Sequence, residues 1–471
     1  MNEEAAKRDD HQPARELQQR YEAMLKARQS WYFDIDQFEQ IVDLYFDQGR
    51  VRKALSVIHY ARTIFPDAFV LRLRQAQLLA GMGELNRALG LLRALEEVEP
   101  TNDEVLLTLG TVFSQLRDHR NAVRYYERAL RFGQVELQDE VYIDLALEYE
   151  NMERFNEAIR VLDRALRQNP ENDTAVYEIA YCFEMAGRFE DARAYYVQFL
   201  DEHPYSFATW YNLGNSYFRT AEYPKAADAF EYCLAIEDQF APGWYNLANT
   251  LVYLEDFNRA IECYKETMEL ETPQAGVYCL VGECYEKLEQ LKEADFYYNL
   301  ALKLDPKNVD AIIGKAVVND LQGHSEKAIE LLREADGLEP NNPDIMLMMA
   351  EAQKNVGNVS SAREIYLRAI EAHPKCVQAW LDYAHFRFDL NHVDGAENLI
   401  EQALGENPDN TSLLLRKVAY LHALGKQKQA LLLLDYLHQS ENNDFDELTD
   451  YYPEILNDAD ARELCKSPEE S

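Results

Sequence analysis

Positive charge is scarce in this chain. Its 47 Lys and Arg stand against 84 Asp and Glu, a formal net charge of −37 over 471 residues. A surface so short of cations cannot neutralise a run of phosphates, which argues against nucleic acid and anionic membranes and favours basic partners. The excess is uneven, since residues 50–131 carry 13 Lys/Arg and 9 Asp/Glu. No apolar run approaches the roughly 18 residues of a membrane span. Met1–Asp10 lack the apolar stretch of a secretory signal, and the seven cysteines show no disulfide spacing. Both absences lead to the expectation of a reducing, cytoplasmic compartment.

Catalytic signatures are missing as well. There is no phosphate loop, no H-E-x-x-H pair, no dinucleotide-binding glycine fingerprint and no G-x-S-x-G elbow. Neither an enzyme nor a cofactor is expected. Asp382, His385 and Asp389 share a helix face at i, i+3 and i+7 and could hold a metal; they are read instead as a solvated face with a His–carboxylate contact. Cys279 and Cys284 lie about 140° apart around a helix and do not share a ligand.

What is present is a phase. Alanine recurs at Ala54, Ala88, Ala122, Ala158, Ala192, Ala226, Ala260, Ala294, Ala328, Ala362, Ala396 and Ala430, in steps of 34 residues with a single step of 36 after Ala122. That period belongs to a helix–turn–helix unit that stacks on its copies. Counting each repeat from position 1, twelve begin at residues 35, 69, 103, 139, 173, 207, 241, 275, 309, 343, 377 and 411. In the sixth, Trp210, Leu213 and Tyr217 at positions 4, 7 and 11 form one helical stripe. Tyr223, Ala226, Phe230 and Cys233 at positions 17, 20, 24 and 27 form the second. Two helices of about 13 residues each are marginal alone and stable when stacked. Position 8 is Gly or Ala from Gly110 to Ala384, and with the alanine at 20 it lets the two helices approach closely. Position 15 is Gly in six repeats, a helix C-cap. Position 32 is Pro in eight, ending the second helix.

These residues resemble the tetratricopeptide repeat (TPR) family. Trp210, Leu213, Gly214, Tyr217, Ala226 and Phe230 follow its signature, as do Tyr278, Gly282, Tyr285, Ala294, Tyr298, Ala301 and Pro306. The resemblance covers residues 35–441. It implies an all-α, TPR-type helix–turn–helix solenoid, a right-handed superhelix whose first helices line a concave groove. Residues 1–34 read as an N-terminal tail and capping helix, Pro13 to Phe33, with Glu16, Arg20 and Lys26 turned outward. Residues 442–471 read as an acidic C-terminal cap and tail, with the cap over 444–466. From Ser440 onward the chain holds eleven acids and two bases, and the first stretch is expected to be flexible. Two extra residues near Phe132–Gln138 replace a proline turn and mark a bend or hinge. Trp210, Trp244 and Trp380 at position 4, and the thiols of Cys182, Cys233 and Cys284, are assigned to the core. Sequons at Asn172, Asn358 and Asn410 are read as chance.

Positions 2, 5, 6, 9, 12 and 13 of the first helix lie opposite the 4–7–11 stripe, and by the resemblance they line the groove. Across twelve repeats they hold 18 acids and five bases (Arg74, Arg219, Lys287, Lys354 and Arg416), a more acidic balance than the whole chain. Repeats 6 and 7 depart from it, with no acid at these positions: Ala208, Tyr211, Asn212, Asn215, Phe218 and Arg219, then Pro242, Tyr245, Asn246, Asn249, Val252 and Tyr253. Tyr177 and Tyr181 of repeat 5 stand beside them. Asparagine can donate to and accept from an extended main chain, and aromatic rings give flat apolar platforms. The four asparagines are similar to those that hold peptide main chain in the TPR superhelices of O-linked N-acetylglucosamine transferases, without the full-length ladder. The Lys/Arg clamp with which some TPR domains take acidic chaperone termini is missing; only Arg219 is present.

The expectation is therefore a non-enzymatic scaffold or adaptor binding a basic or aromatic peptide segment at Tyr177, Tyr181, Tyr211, Asn212, Asn215, Phe218, Arg219, Tyr245, Asn246, Asn249 and Tyr253. The alternative is a structural subunit that uses its convex face or caps, with the groove empty or filled by its own C-terminal tail. The partner's identity and the oligomeric state are not legible.

Overall fold

The computed structural model describes residues 12–132, 138–439 and 445–465. Among these are 27 α-helices and no strand, arranged as stacked helix–turn–helix pairs. They fall into two compact units, Met1–Asp238 with repeats 1–6 and Gln239–Ser471 with repeats 7–12. The expected hinge near Phe132–Gln138 centres on 133–137, and the expected flexible start of the tail on 440–444. Both stretches lie outside the described residues.

Helix bounds follow the alanine register. First helices run from position 1 to 13, as in Ile35–Asp47 and Phe207–Arg219, and second helices from 17 to 30, as in Val51–Ile64 and Tyr223–Ile236. Wherever proline holds position 32 the second helix stops two residues earlier, because proline drives the residue before it out of the α region. Asparagine commonly caps the first helix: Asn102 and Asn308 accept from backbone N–H groups three residues on, at 3.0 and 2.9 Å. The sequon residues have the same task. Asn172, Asn358 and Asn410 all cap helices through their side chains.

Position 15 has positive φ in all twelve repeats. Six are glycines, at +66° to +83°, and six are Arg117, Glu153, Ala221, Glu255, Glu289 and Asn391, at +57° or +58°. In each, the N–H groups of positions 15 and 16 bond back to the carbonyls of positions 12 and 11, as Gly49 to Phe46 and Arg50 to Tyr45, both at 2.8 Å. This is a Schellman turn.

Helix approach within a repeat is set by position 8 against position 24. A Cβ on Gly110, Gly214 or Gly282 would come within 2.7 Å of ring carbons of Tyr126, Phe230 or Tyr298. Tyr298 is enclosed from its other side by Gly314 of the next repeat. All twelve position-20 alanines are buried. Trp380 is buried and donates its indole N–H to the Pro374 carbonyl at 2.8 Å. Trp210 makes the equivalent bond to Pro204 at 2.9 Å but is only half-buried, stacking on the exposed Tyr232. Cys182, Cys233 and Cys284 are buried free thiols, and burial pushes those of Cys233 and Cys284 up to about 12.

The N-terminal cap is shorter than the helix expected over Pro13 to Phe33. At the N-terminus the helix is Gln12–Ala27, stopped at Arg28 by a φ of +52°. Phe33 lies beyond it, packed on Tyr21 and Phe38 with ring centres 5.9 and 5.5 Å away. At the C-terminus Asp446–Tyr451 and Ala459–Leu464 are helical and Pro453–Asn457 is a 3-10 turn. Pro453 ends the first of these. Both caps keep the register. Met24 falls at the second-helix core position of a repeat preceding the first, and Phe445 stands 34 residues after Thr411, where a thirteenth first helix would open.

Ala221→Gly is expected to raise the urea midpoint, with a gain of about 0.5–1 kcal/mol in unfolding free energy, because relief of the left-handed strain outweighs the entropy that glycine adds to the unfolded chain. Gly187→Ala, where an added Cβ meets open space, should lower it by a similar amount. Gly314→Ala should cost about 1–3 kcal/mol by overpacking Tyr298; an unchanged midpoint would show that the ring can yield.

Candidate functional site

Position 6 of repeat 6 does not lie open. First helices pack on their own second helices and, within each unit, several also pack on the first helix before them, as those of repeats 5 and 6 do; position 6 of repeat 6 falls in that seam. Asn212 is 7% exposed and donates its amide N–H to the Val176 carbonyl of the preceding first helix at 3.4 Å. Ala208 is buried too. The open face is therefore narrower than the arc opposite the 4–7–11 stripe, because that arc leaves out the second neighbour.

The seam also sets the electrostatics. Asp144 and Glu178 in the first unit and Asp382 in the second hold position 6, and burial raises the pKa of each; Glu140 and Glu148 raise Asp144 further. Arg74 in the same position of repeat 2 is tied to Glu39 at 3.5 Å and Glu104 at 3.2 Å. Among the described residues no ion pair reaches Asp144 or Glu178, so their charge is desolvated without compensation. Asparagine at this position, as in repeats 6 and 7, carries no such penalty.

In the first unit, Tyr211 meets Tyr177 edge-on at 6.3 Å and the Phe230 ring at 5.9 Å. Phe218 meets Tyr223 edge-on at 5.5 Å. Arg219 pairs with Glu184 at 2.7 Å and lies 5.9 Å over the Phe189 ring. Asn212, Asn215, Phe218 and Arg219 surround a hollow of about 270 Å³, walled further by Phe189 and Tyr196. Tyr181 and Met185, one helical turn apart, are 45% and 53% exposed, and Phe189 is 44% exposed. Met185 and Phe189 are absent from the sequence-based site. Met185 holds position 13, a groove position, and Phe189 holds position 17, the first position of the second-helix stripe, across the turn from it.

In the second unit, Tyr245 meets Tyr264 edge-on at 6.0 Å, and the Asn249 side-chain oxygen accepts from the Tyr264 hydroxyl at 2.6 Å. Asn246 is half-buried and Tyr253 exposed. All four residues of this group lie on one helix, Ala241–Tyr253. Among the described residues no helix is long and apolar enough to cross a membrane.

Three family models, each described as tetratricopeptide repeat, match the chain. One covers residues 143–207 and 185–242, another 321–382 and 357–421, the third 103–132, 241–272 and 275–308. The TPR repeat-containing protein YpiA of Bacillus subtilis (strain 168) is 21% identical over 395 residues, 83% of this chain and 88% of that protein. Protein CTR9 homolog of Arabidopsis thaliana is 28% identical over 131 residues, 28% of this chain and only 12% of that one. The human protein O-mannosyl-transferase TMTC1 is 24% identical over 159 residues, 33% of this chain and 18% of that one. Among solved structures, the APC/C hetero-tetramer Cut9–Hcn1 gives a TM-score of 0.40 at 14% identity, covering 82% of this chain and 90% of that chain. YrrB, described as a TPR protein with an unusual peptide-binding site, gives 0.33 at 18% identity, covering 39% and 95%. With the family's models matching in both units, on helices that keep its repeat, the chain belongs to the tetratricopeptide repeat family.

Proposed function

We propose that this protein is a scaffold that holds a basic, aromatic-bearing segment of a partner on the first-helix face of repeats 5 and 6. Proteins of the family act generally as protein–protein interaction scaffolds, and the fold is typically non-catalytic. The observation that carries the finer reading is the apolar rim of Tyr181, Met185, Phe189 and Phe218 beside a hollow with amide side chains in its wall. Exposed apolar patches of this kind mark interaction sites. An aromatic or aliphatic side chain of the guest would fill the hollow. Its lysines or arginines would give Glu178 and Asp144 the counter-charge they lack. Tyr245, Asn246, Asn249 and Tyr253 carry the same pattern of rings and amides in the second unit. Because the repeats are ordered beforehand, only the guest loses conformational freedom on binding.

Tyr181→Ala combined with Phe218→Ala tests the site while leaving the buried Asn212 in place. Each truncation is expected to cost more than about 1 kcal/mol of binding, so capture of partners from the cognate lysate should fall at least about tenfold, with the melting temperature nearly unchanged. Undiminished capture would remove the site. The pH dependence has a defined sign. Glu178 and Asp144 hold their protons to higher pH than ordinary carboxyls, and a cationic guest favours their ionised forms. Affinity for a Lys/Tyr-rich peptide should thus be full at neutral pH, begin to fall above the ordinary glutamate value of 4.5, and be lost below it. A flat anisotropy profile across that range would show that these carboxylates take no part.

A further inference from the structure

The last two repeats, within the second unit, already carry a guest. At the six first-helix positions considered above, repeat 12 has Ser412, Leu415, Arg416, Ala419, His422 and Ala423, with no carboxylate. The segment Asp446–Asn457 lies against this helix and reaches positions 9 and 12 of repeat 11, His385 and Phe388. Tyr451 is its centre. The Arg416 guanidinium sits 3.2 Å from the middle of its ring, His385 meets it edge-on at 5.5 Å, and Phe388 and Tyr420 each approach to 6.2 Å. Its hydroxyl is hydrogen-bonded to His385 Nδ1 at 3.1 Å and to the Tyr420 hydroxyl at 3.0 Å. Tyr452 packs on His422 at 5.7 Å and Phe388 at 6.3 Å. Glu447 accepts from the Ser412 hydroxyl at 2.8 Å. Of the two carboxylates that repeat 11 brings to its own face, Asp389 is held by Lys354 at 3.3 Å and Asp382 bonds Gln378 at 2.7 Å.

These contacts divide into two sets. Phe445, Leu448, Ile455 and Ala461 are buried against Leu415, Val418, Leu434 and Leu437, and they close the end of the stack. Tyr451 and Tyr452 are partly buried against the same cluster and make a second kind of contact besides. They read an arginine, two histidines and a hydroxyl. Charge matches: Asp446, Glu447, Asp450 and Glu454 flank the tyrosines, while the repeat-12 face offers Arg416 and no carboxylate. The helix carrying Tyr451 is six residues long, too short to persist on its own hydrogen bonds. Its order depends on the face it touches, which places it at the low-stability end of the fold.

We infer that the first-helix face of repeats 11 and 12 is a second binding site, for an acidic segment with two adjacent tyrosines before a proline, and that Asp446–Asn457 occupies it in cis until a partner's segment of the same chemistry displaces it. The site is independent of the one on repeats 5 and 6 and takes a guest of opposite charge. Tethering raises the local concentration of the resident segment to about 1 mM. A free peptide whose intrinsic Kd is about 10 μM is then screened on the order of a hundredfold.

The test uses the full-length chain and a fluorescent peptide with the sequence of Asp446–Glu454. The double variant Tyr451→Ala/Tyr452→Ala keeps Phe445, Leu448 and Ile455 to close the stack, and it should bind the peptide at least tenfold more tightly than the wild type. Adding Arg416→Ala should abolish that gain, and a peptide with alanine for both tyrosines should not bind. Equal affinity of wild type and double variant, or no binding by either, would overturn the proposal. Should the double variant melt early, hydrogen exchange on the single Arg416→Ala chain decides. Amides of 446–457 should then exchange at least tenfold faster while the helices of repeat 10 keep their protection. Unaltered protection of the segment would mean that it is a cap and nothing more.

Discussion

How close two helices of one repeat can come governs the rest of this structure. Glycine or alanine at position 8 leaves room for the position-24 side chain, and alanine at 20 lets the facing helix settle. Interiors packed to crystal density do not absorb an extra methyl group without movement. The ring at position 24 therefore fixes the spacing of its own repeat. Where it also touches the next one, as Tyr298 does through Gly314, it passes that spacing onward. The Schellman turn at position 15 complements this contact by fixing the path between the helices.

The seam between successive first helices is a by-product of that packing, and it sorts the chemistry of the exposed face. Position 6 lies in it. A carboxylate there is short of both water and counter-charge, an arginine can bridge neighbouring repeats, and an asparagine can bond to the adjacent backbone. Asp144, Arg74 and Asn212 show the three outcomes. The same position thus carries different chemistry from one repeat to the next.

Much of this was legible in the sequence, because period, proline and alanine act locally. The start of nearly every first helix, the end of the second and the burial of the thiols follow from residue identities alone. The six non-glycine turns were not legible. Arg117 or Glu289 gives no sign of a left-handed conformation, which is imposed by the helices on either side. Asn212 appeared exposed because helical periodicity describes one contact face, whereas a stacked first helix has two. Phe189 was not legible as a site residue because position 17 belongs to the second-helix core stripe, yet here it is exposed across the turn from Met185. The shape of the C-terminal segment was not legible, since its two short helices and the 3-10 turn between them are divided at Pro453.

The two caps are halves of a repeat: a second helix at the start and the opening of a first helix at the end. A stack ending in whole repeats would leave bare a surface that accepts a second helix and, at the other end, one that accepts a first helix. Those surfaces are complementary by construction. Copies bearing them would join head to tail through contacts that need not close into a ring, and would grow as filaments. What opposes such growth at the first cap is charge: Arg15, Glu16, Arg20 and Lys26 are exposed there, and a copy stacking on that face would have to strip them of water.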